Sequence, residues 1–123
     1  MKKKRTGNIY WANSKLIDKS DNKERRQYAV LRDNGKNVSV AKIRGFNNNS
    51  KNNSRLYELN TTKYPLKKRS GIDNHLYSRR ADNHALLELE DKQVFDSQPA
   101  FRMSSHDTHK SIEHARRKKR SKY

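Results

Sequence analysis

The chain has 123 residues, 30% of them hydrophobic and 35% charged, which suits one domain with a thin core and leaves no room for a large buried site. Lys and Arg number 30 against 13 Asp and Glu, a formal charge of +17. Self-repulsion at that density opposes compaction, and binding a polyanion relieves it while releasing the polyanion's own counterions. Nucleic acid is therefore the expected partner. An anionic membrane surface would need large apolar residues beside the cations, and the basic ends, Lys2-Lys3-Lys4-Arg5 and Arg116-Arg117-Lys118-Lys119-Arg120, have almost none nearby.

The absence of cysteine excludes a disulfide framework and thiolate zinc sites. Neither an apolar leader segment nor a run long enough to cross a bilayer occurs. The expected location is the cytoplasm, with no membrane partner.

In chain order, residues 1–8 read as a basic arm, residues 9–103 as a β domain, and residues 104–123 as a basic C-terminal helix and tail. Ile9-Tyr10-Trp11-Ala12 is a first short strand rich in β-forming aromatics. Residues 13–25 are polar and read as a loop. A hairpin follows, from Gln27-Tyr28-Ala29-Val30-Leu31-Arg32 through Asn34-Gly35 to Val38-Ser39-Val40-Ala41-Lys42-Ile43. Asn-Gly tolerates the two positive φ angles of a type I′ turn. Val38 and Val40 are expected on one face of the second strand, with Ser39 on the other.

Residues 47–53 form an Asn-rich low-complexity loop outside any core. Residues 55–59 and 72–77 are candidate strands, with Pro65 barring a central position between them. Ala85-Leu86-Leu87-Glu88-Leu89 and Gln93-Val94-Phe95 suggest a second hairpin. Beyond Pro99, Ser104 or Ser105 is placed to cap a helix over about residues 106–120, with Asp107 near its positive end. Ile112 and Ala115 are its only apolar residues, so weak packing is expected. The fold class is mainly β, with one C-terminal helix and basic disordered ends.

The basic ends, Lys2, Lys3, Lys4, Arg5 and Arg116, Arg117, Lys118, Lys119, Arg120, are the first candidate nucleic-acid contacts. Aromatics lie among the cations in a pattern suited to stacking unpaired bases. A chain so short of aliphatics needs aromatics in its core, so Trp11, Tyr28 and Phe95 are assigned there. Phe46, after Arg44-Gly45 at a strand end, is the candidate for exposure. His106 and His109, with Asp107 between them and His114 beyond, match no established metal-ligand spacing, and no metal or cofactor is expected. No phosphate-binding glycine loop, dinucleotide fingerprint, nucleophile elbow or metalloprotease motif occurs. An enzyme built from this chain would rely on Arg, His, Lys or Tyr, and arginine's planar, permanently charged fork suits a phosphorane-like transition state.

The segment from Gly7 to about Asp107 resembles PemK/MazF-like proteins, the toxins of bacterial toxin–antitoxin pairs. The resemblance lies in Gly7-Asn8-Ile9-Tyr10-Trp11, in Arg26 before Tyr28-Ala29-Val30-Leu31, in the hairpin that follows, and in Tyr64-Pro65-Leu66 through Ser70-Gly71-Ile72. It implies a small SH3-like β-barrel, commonly a homodimer, that binds single-stranded RNA, cleaves it without metal and meets an acidic antitoxin-like protein. Arg26 would then stabilise the transition state or move a proton, with Arg44 second. Two departures stand out: Ile43-Arg44-Gly45 holds the place of the family's usual Thr or Ser, and Gln27 replaces the usual Pro. The expected function is nucleic-acid binding of this type, with metal-independent endoribonuclease activity as its catalytic form. The alternative is a non-catalytic basic accessory protein of a plasmid or phage that binds DNA or ribosomal RNA. A third expectation is a largely disordered basic chain that folds on its target.

Overall fold

The structure, a computed structural model, describes residues 5–48 and 50–120, the side chains of residues 50 and 118–120 excepted. The elements in order are β1 (Asn8–Asn13), α1 (Ser14–Ile17), β2 (Arg25–Asp33), β3 (Asn37–Gly45), α2 (Ser50–Asn53), β4 (Leu56–Leu59), β5 (Ser70–Asp73), β6 (Tyr77–Arg80), α3 (Ala85–Asp91), β7 (Phe101–Arg102) and α4 (Ser105–Arg120). The strands run in the order β4-β5-β3-β2-β1-β7, with β6 also beside β3. Every pairing is antiparallel. Along one edge of β3, residues 37–40 pair with β6 and residues 43–45 with β5. The sheet curls into a half-barrel with α4 beside it. No helix among the described residues is long and apolar enough to cross a membrane.

Alternation along the strands sends successive side chains into two cores. On one face Tyr10, Tyr28, Val30, Val38 and Val40 meet Leu86 and Leu89 of α3 and the ring of Phe95. On the other, Ile9, Ala29, Leu31, Ala41 and Ile43 meet Leu59, Tyr64, Ile72 and Met103. Tyr28 and Phe95 belong to the core as expected, stacked with ring centres 6.3 Å apart. Val38 and Val40 share one face, and Ser39 lies on the other, its hydroxyl 2.9 Å from that of Ser78.

The first hairpin forms in the expected place, with Ala29 opposite Ala41 and Val30 opposite Val40. Its turn differs from the expected type I′. Gly35 takes a φ of 94° while Asn34 does not enter the positive region, so one left-handed residue replaces two. Side chains build the rest of the loop: Asp33 Oδ1 accepts from the Gly35 N–H at 3.0 Å and Asn34 Oδ1 from the Asn37 N–H at 2.8 Å.

Four expectations need correction. Residues 85–91 form a helix, not a strand of a second hairpin. Ala85, Leu86 and Leu89 are its buried residues, an i, i+1, i+4 set that fits a helical stripe, and the segment lacks β-branched residues. Residues 72–77 split into β5 and β6 around a corner, because β3 accepts them at separate places along its edge. The loop after β1 opens with α1, so only residues 18–24 are irregular. The basic arm is shorter than residues 1–8: Gly7 N–H donates to Val30 O at 2.7 Å, Asn8 begins β1, and Arg5 pairs with Glu90. In the Asn-rich stretch, Asn53 clasps Asn47, accepting from its N–H at 3.0 Å and donating to its carbonyl at 2.6 Å.

The C-terminal helix begins at Ser105, and of the two serines expected to cap it Ser104 does so, the Asp107 N–H donating to its Oγ at 3.2 Å. Its docking is polar where weak apolar packing was expected. Tyr57 and Tyr64 both donate their hydroxyls to Asp107, and Tyr64 also accepts from the Ser104 N–H at 2.9 Å. Further along, Ser111 and Ala115 are buried, and His114 Nε2 lies 2.9 Å from the Arg55 carbonyl. Burial alone would raise the Asp107 carboxyl, but the bonds from Tyr64, Tyr57 and Ser104 outweigh it and hold it below its ordinary value. Tyr64→Phe removes a hydrogen bond to a charged group and is expected to cost about 2 kcal/mol. Urea denaturation measures it, and a loss below about 0.5 kcal/mol would show that the Tyr64 hydroxyl adds little to the docking of α4.

Candidate nucleic-acid interface

Across β1, β2 and β3, the half-barrel face covered by Met103 and Ile112 at one end is open at the other. There a cleft of about 530 Å³ lies between the sheet and the segment after Pro65. Trp11, Gln27, Ile43, Leu66 and Phe101 line it, and Lys23, Arg25, Lys67 and Lys68 supply cations. Trp11 faces Gln27 directly across the β1–β2 ladder. The alternation that buries Tyr10 and Ala12 turns Trp11 to this face, where nothing covers it fully.

Trp11 is 41% exposed, which corrects its assignment to the core. The chain's single tryptophan thus stands in a cationic cleft, with Leu66 and Phe101 beside it in the lining. Lys23, Lys67 and Lys68 are exposed, and none has a carboxylate partner among the described residues. Arg25 pairs with Asp96 at 2.8 Å across a half-exposed contact, an interaction of little strength that an anionic ligand can displace. Gly45 allows the close approach of Lys68: a β-carbon there would lie 2.8 Å from Lys68 Cε. Pro65 then Lys67-Lys68 beside an aromatic strand was the available sequence signal, but only the curl of the sheet brings the two together.

Arg26 contacts the cleft, yet its guanidinium belongs to a network on the opposite sheet face. Arg26 Nε donates to Asp21 Oδ2 at 2.7 Å. Lys42 Nζ lies 2.9 Å from that same oxygen and 2.8 Å from Asp18 Oδ2. Tyr77 donates to Asp18 Oδ2 at 3.1 Å, and its ring carries the Lys42 ammonium 5.3 Å from its centre. Arg44 answers to a different carboxylate, Asp73 Oδ2 at 3.4 Å, which Arg55 also approaches. The fold therefore gives the two candidate catalytic arginines separate partners.

The remaining candidates are dispersed. Phe46 is half-buried, with the Arg69 guanidinium 4.3 Å from its ring centre and Arg69 in turn held by Glu58 at 2.6 and 2.9 Å. That ring face is covered by protein. Arg5 is tied to Glu90, whereas Arg116 and Arg117 are exposed on the last turns of α4. Lys2, Lys3 and Lys4 lie outside the described residues, as do the side chains of Lys118, Lys119 and Arg120. His109 pairs with Glu113 at 2.9 Å, and among the described residues no three metal-binding side chains gather into a group able to hold an ion.

The fold and cleft together define a small antiparallel half-barrel with an exposed tryptophan in a cationic groove. No protein-family model matches the chain, and no curated protein sequence matches it.

The network under β2 and β3 contributes to the response to pH at both extremes. Burial alone would lower Lys42, but its bonds to Asp18 and Asp21 push it up to about 12 from 10.5. The bond from Lys42, helped by the Ser20 hydroxyl, holds Asp18 well below the carboxylate range. Asp21 is held there too, its burial outweighed by Arg26 and Lys42. The aspartates' contribution is present above about pH 4 and is lost as pH falls through their depressed folded values. The lysine's contribution is complete below pH 10.5 and is lost as pH rises toward about 12. Urea midpoints across pH are expected to fall at both extremes, and Lys42→Met to make the alkaline fall shallower. An unchanged alkaline limb in that variant would place the loss elsewhere.

Proposed function

We propose that the protein binds single-stranded nucleic acid in the cleft beside Trp11. The observation that carries this reading is an exposed tryptophan among Lys23, Lys67 and Lys68, cations without carboxylate partners among the described residues, in a chain of formal charge +17. An indole face suits an unpaired base of any kind, each stacked base contributing about 1–3 kcal/mol. The lysines suit its phosphates, and each neutralised phosphate adds about 0.7 to the salt slope of a single strand. A duplex keeps its base faces stacked inside and would leave the indole without a partner.

The curled antiparallel sheet and the helix after it also support an SH3-like barrel of the PemK/MazF-like type. Within that reading, Arg26 supports endoribonuclease chemistry only indirectly. It borders the cleft while Asp21 holds its Nε, so cleavage would require the guanidinium to reach a phosphate without leaving that carboxylate. Binding is therefore the first reading and metal-independent cleavage the second.

Because the chain holds one tryptophan, its fluorescence reports on the cleft directly. Titration with labelled single-stranded RNA, in EDTA, is expected to quench Trp11 and to retard the RNA. Replacing Lys67 and Lys68 with Ala together is expected to lower the slope of log affinity against log salt by about 1.4. Binding that leaves Trp11 unquenched and the slope unchanged would move the interface away from the cleft. RNA cleavage in the same mixture, lost in Arg26→Lys while retardation persists, would establish the catalytic form.

A further inference from the structure

We infer that Arg25 is the subsite for the phosphate of the nucleotide stacked on Trp11, and that Asp96 fills this subsite in the free protein. The inference rests on the single-strand reading of the cleft and deepens it. Arg25 and Gln27 alternate onto the same face of β2, and Gln27 is the register partner of Trp11. Arg25 is therefore a diagonal neighbour of Trp11, at a spacing of about 7–8 Å. Both side chains line the cleft. A nucleotide's phosphate lies one sugar away from its base, so a base on the indole brings a phosphate within reach of this guanidinium.

Two of the cations lining the cleft have carboxylate partners among the described residues, and the two pairs differ. Arg26 and Asp21 are buried together, and Lys42 shares the carboxylate. A phosphate could take Arg26 only by leaving a buried charge uncompensated. Arg25 and Asp96 meet in solvent, their side chains 51% and 47% exposed, through a single contact of Nη2 to Oδ2 at 2.8 Å. Such a pair is weak, whereas a phosphate can accept two parallel N–H bonds from the same guanidinium.

The backbone fixes Asp96 in this place. Its N–H donates to the Trp11 carbonyl at 2.9 Å. The residue before it, Phe95, is buried in the core and bridges to Ala12. A carboxylate is thereby held beside the strand that carries the indole, although it does not itself line the cleft. While Asp96 holds Arg25 the pair carries no net charge, and the cleft attracts a strand through Lys23, Lys67 and Lys68. When a phosphate takes Arg25, Asp96 returns to water, and the cost of that exchange is subtracted from affinity. Asp96 therefore restrains binding, and an anion that does not also stack on Trp11 gains little by displacing it.

Anisotropy of a labelled short oligouridylate, at one fixed low salt concentration, tests this in the full chain. Asp96→Asn is expected to tighten binding about fivefold, the contribution of one exposed ion pair. Arg25→Ala is expected to weaken binding, to lower the slope of log affinity against log salt by about 0.7, and to abolish the gain from Asp96→Asn in the double variant. Glu24 is exposed and has no cation partner among the described residues, so Glu24→Gln controls for removal of a negative charge and is expected to gain less. An abasic oligomer carrying one thymine fixes which nucleotide can stack. A neutral methylphosphonate on one side of that thymine is expected to erase the gain from Asp96→Asn. An equal gain in Glu24→Gln, or a gain that survives Arg25→Ala, would overturn the competition, as would weaker binding in Asp96→Asn. Unchanged affinity and slope in Arg25→Ala, with binding weakened in Trp11→Ala, would overturn the phosphate subsite and leave the cleft standing. Unchanged binding in Trp11→Ala and in the Lys67, Lys68 double variant would overturn the cleft itself, and the inference with it. Circular dichroism matching the parent shows that each variant retains the fold.

Discussion

Asp21 accepts from Arg26 and faces the ammonium of Lys42 at one buried oxygen, and much of the architecture depends on contacts of this kind. The chain has to fold with more than twice as many cations as acids, so its few carboxylates hold segments together at junctions. Asp18 and Asp21 bind the connection after α1 onto β2 and β3. Asp73 draws Arg44 of β3 and Arg55 toward β5. Asp107 fastens α4 to β4 and to Tyr64, while Glu90 anchors Arg5 to α3. Removing one member of such a buried pair costs far more than the pair contributes net, because an uncompensated charge remains. That asymmetry makes each junction specific: a different docking would leave an acid without the cation or hydroxyl donors that hold it.

Allocating acids inward has a consequence at the surface. With these carboxylates engaged at junctions, Lys23, Lys67 and Lys68 in the cleft have no carboxylate partner among the described residues. The same open end of the sheet leaves Trp11 uncovered and Gln27 unbonded. Positive charge, an aromatic face and a free amide meet at one place because the core is too small to cover both ends of the sheet. Met103 and Ile112 pack against the core at one end, and at the other the cleft beside Trp11 stays open. The proposed interface is thus the part of the half-barrel that this composition cannot fill.

How much of this was readable in the sequence follows from the range of each signal. The hairpin was legible because period-2 alternation and Asn-Gly are local, and so was a serine cap of α4 at residue 104 or 105, which Ser104 supplies. Residues 85–91 were misread because a short Ala-Leu-rich run fits either period, and only the tertiary stripe of Ala85, Leu86 and Leu89 separates them. The exposure of Trp11 was not legible: alternation says which face a residue takes, not whether that face is covered. Arg26 was visible as a cation before a strand, but its partner Asp21 lay in a stretch that read only as polar loop. The cleft joins Lys23, Trp11, Gln27 and Lys67 from three segments, which no local pattern brings together.

Salt separates the two electrostatic functions of the chain. Exposed cations repel one another through solvent, so added salt screens that repulsion and favours the compact state. The junction carboxylates are buried beside their partners and are screened much less. Phosphate binding moves the opposite way, because each contact releases counterions and loses its advantage as salt rises. An occupied cleft also stabilises the fold by mass action, and does so most at low salt, where the unliganded chain suffers most from its own charge. The excess of cations that makes this small core marginal is, on the proposed reading, the same excess that a nucleic acid would neutralise.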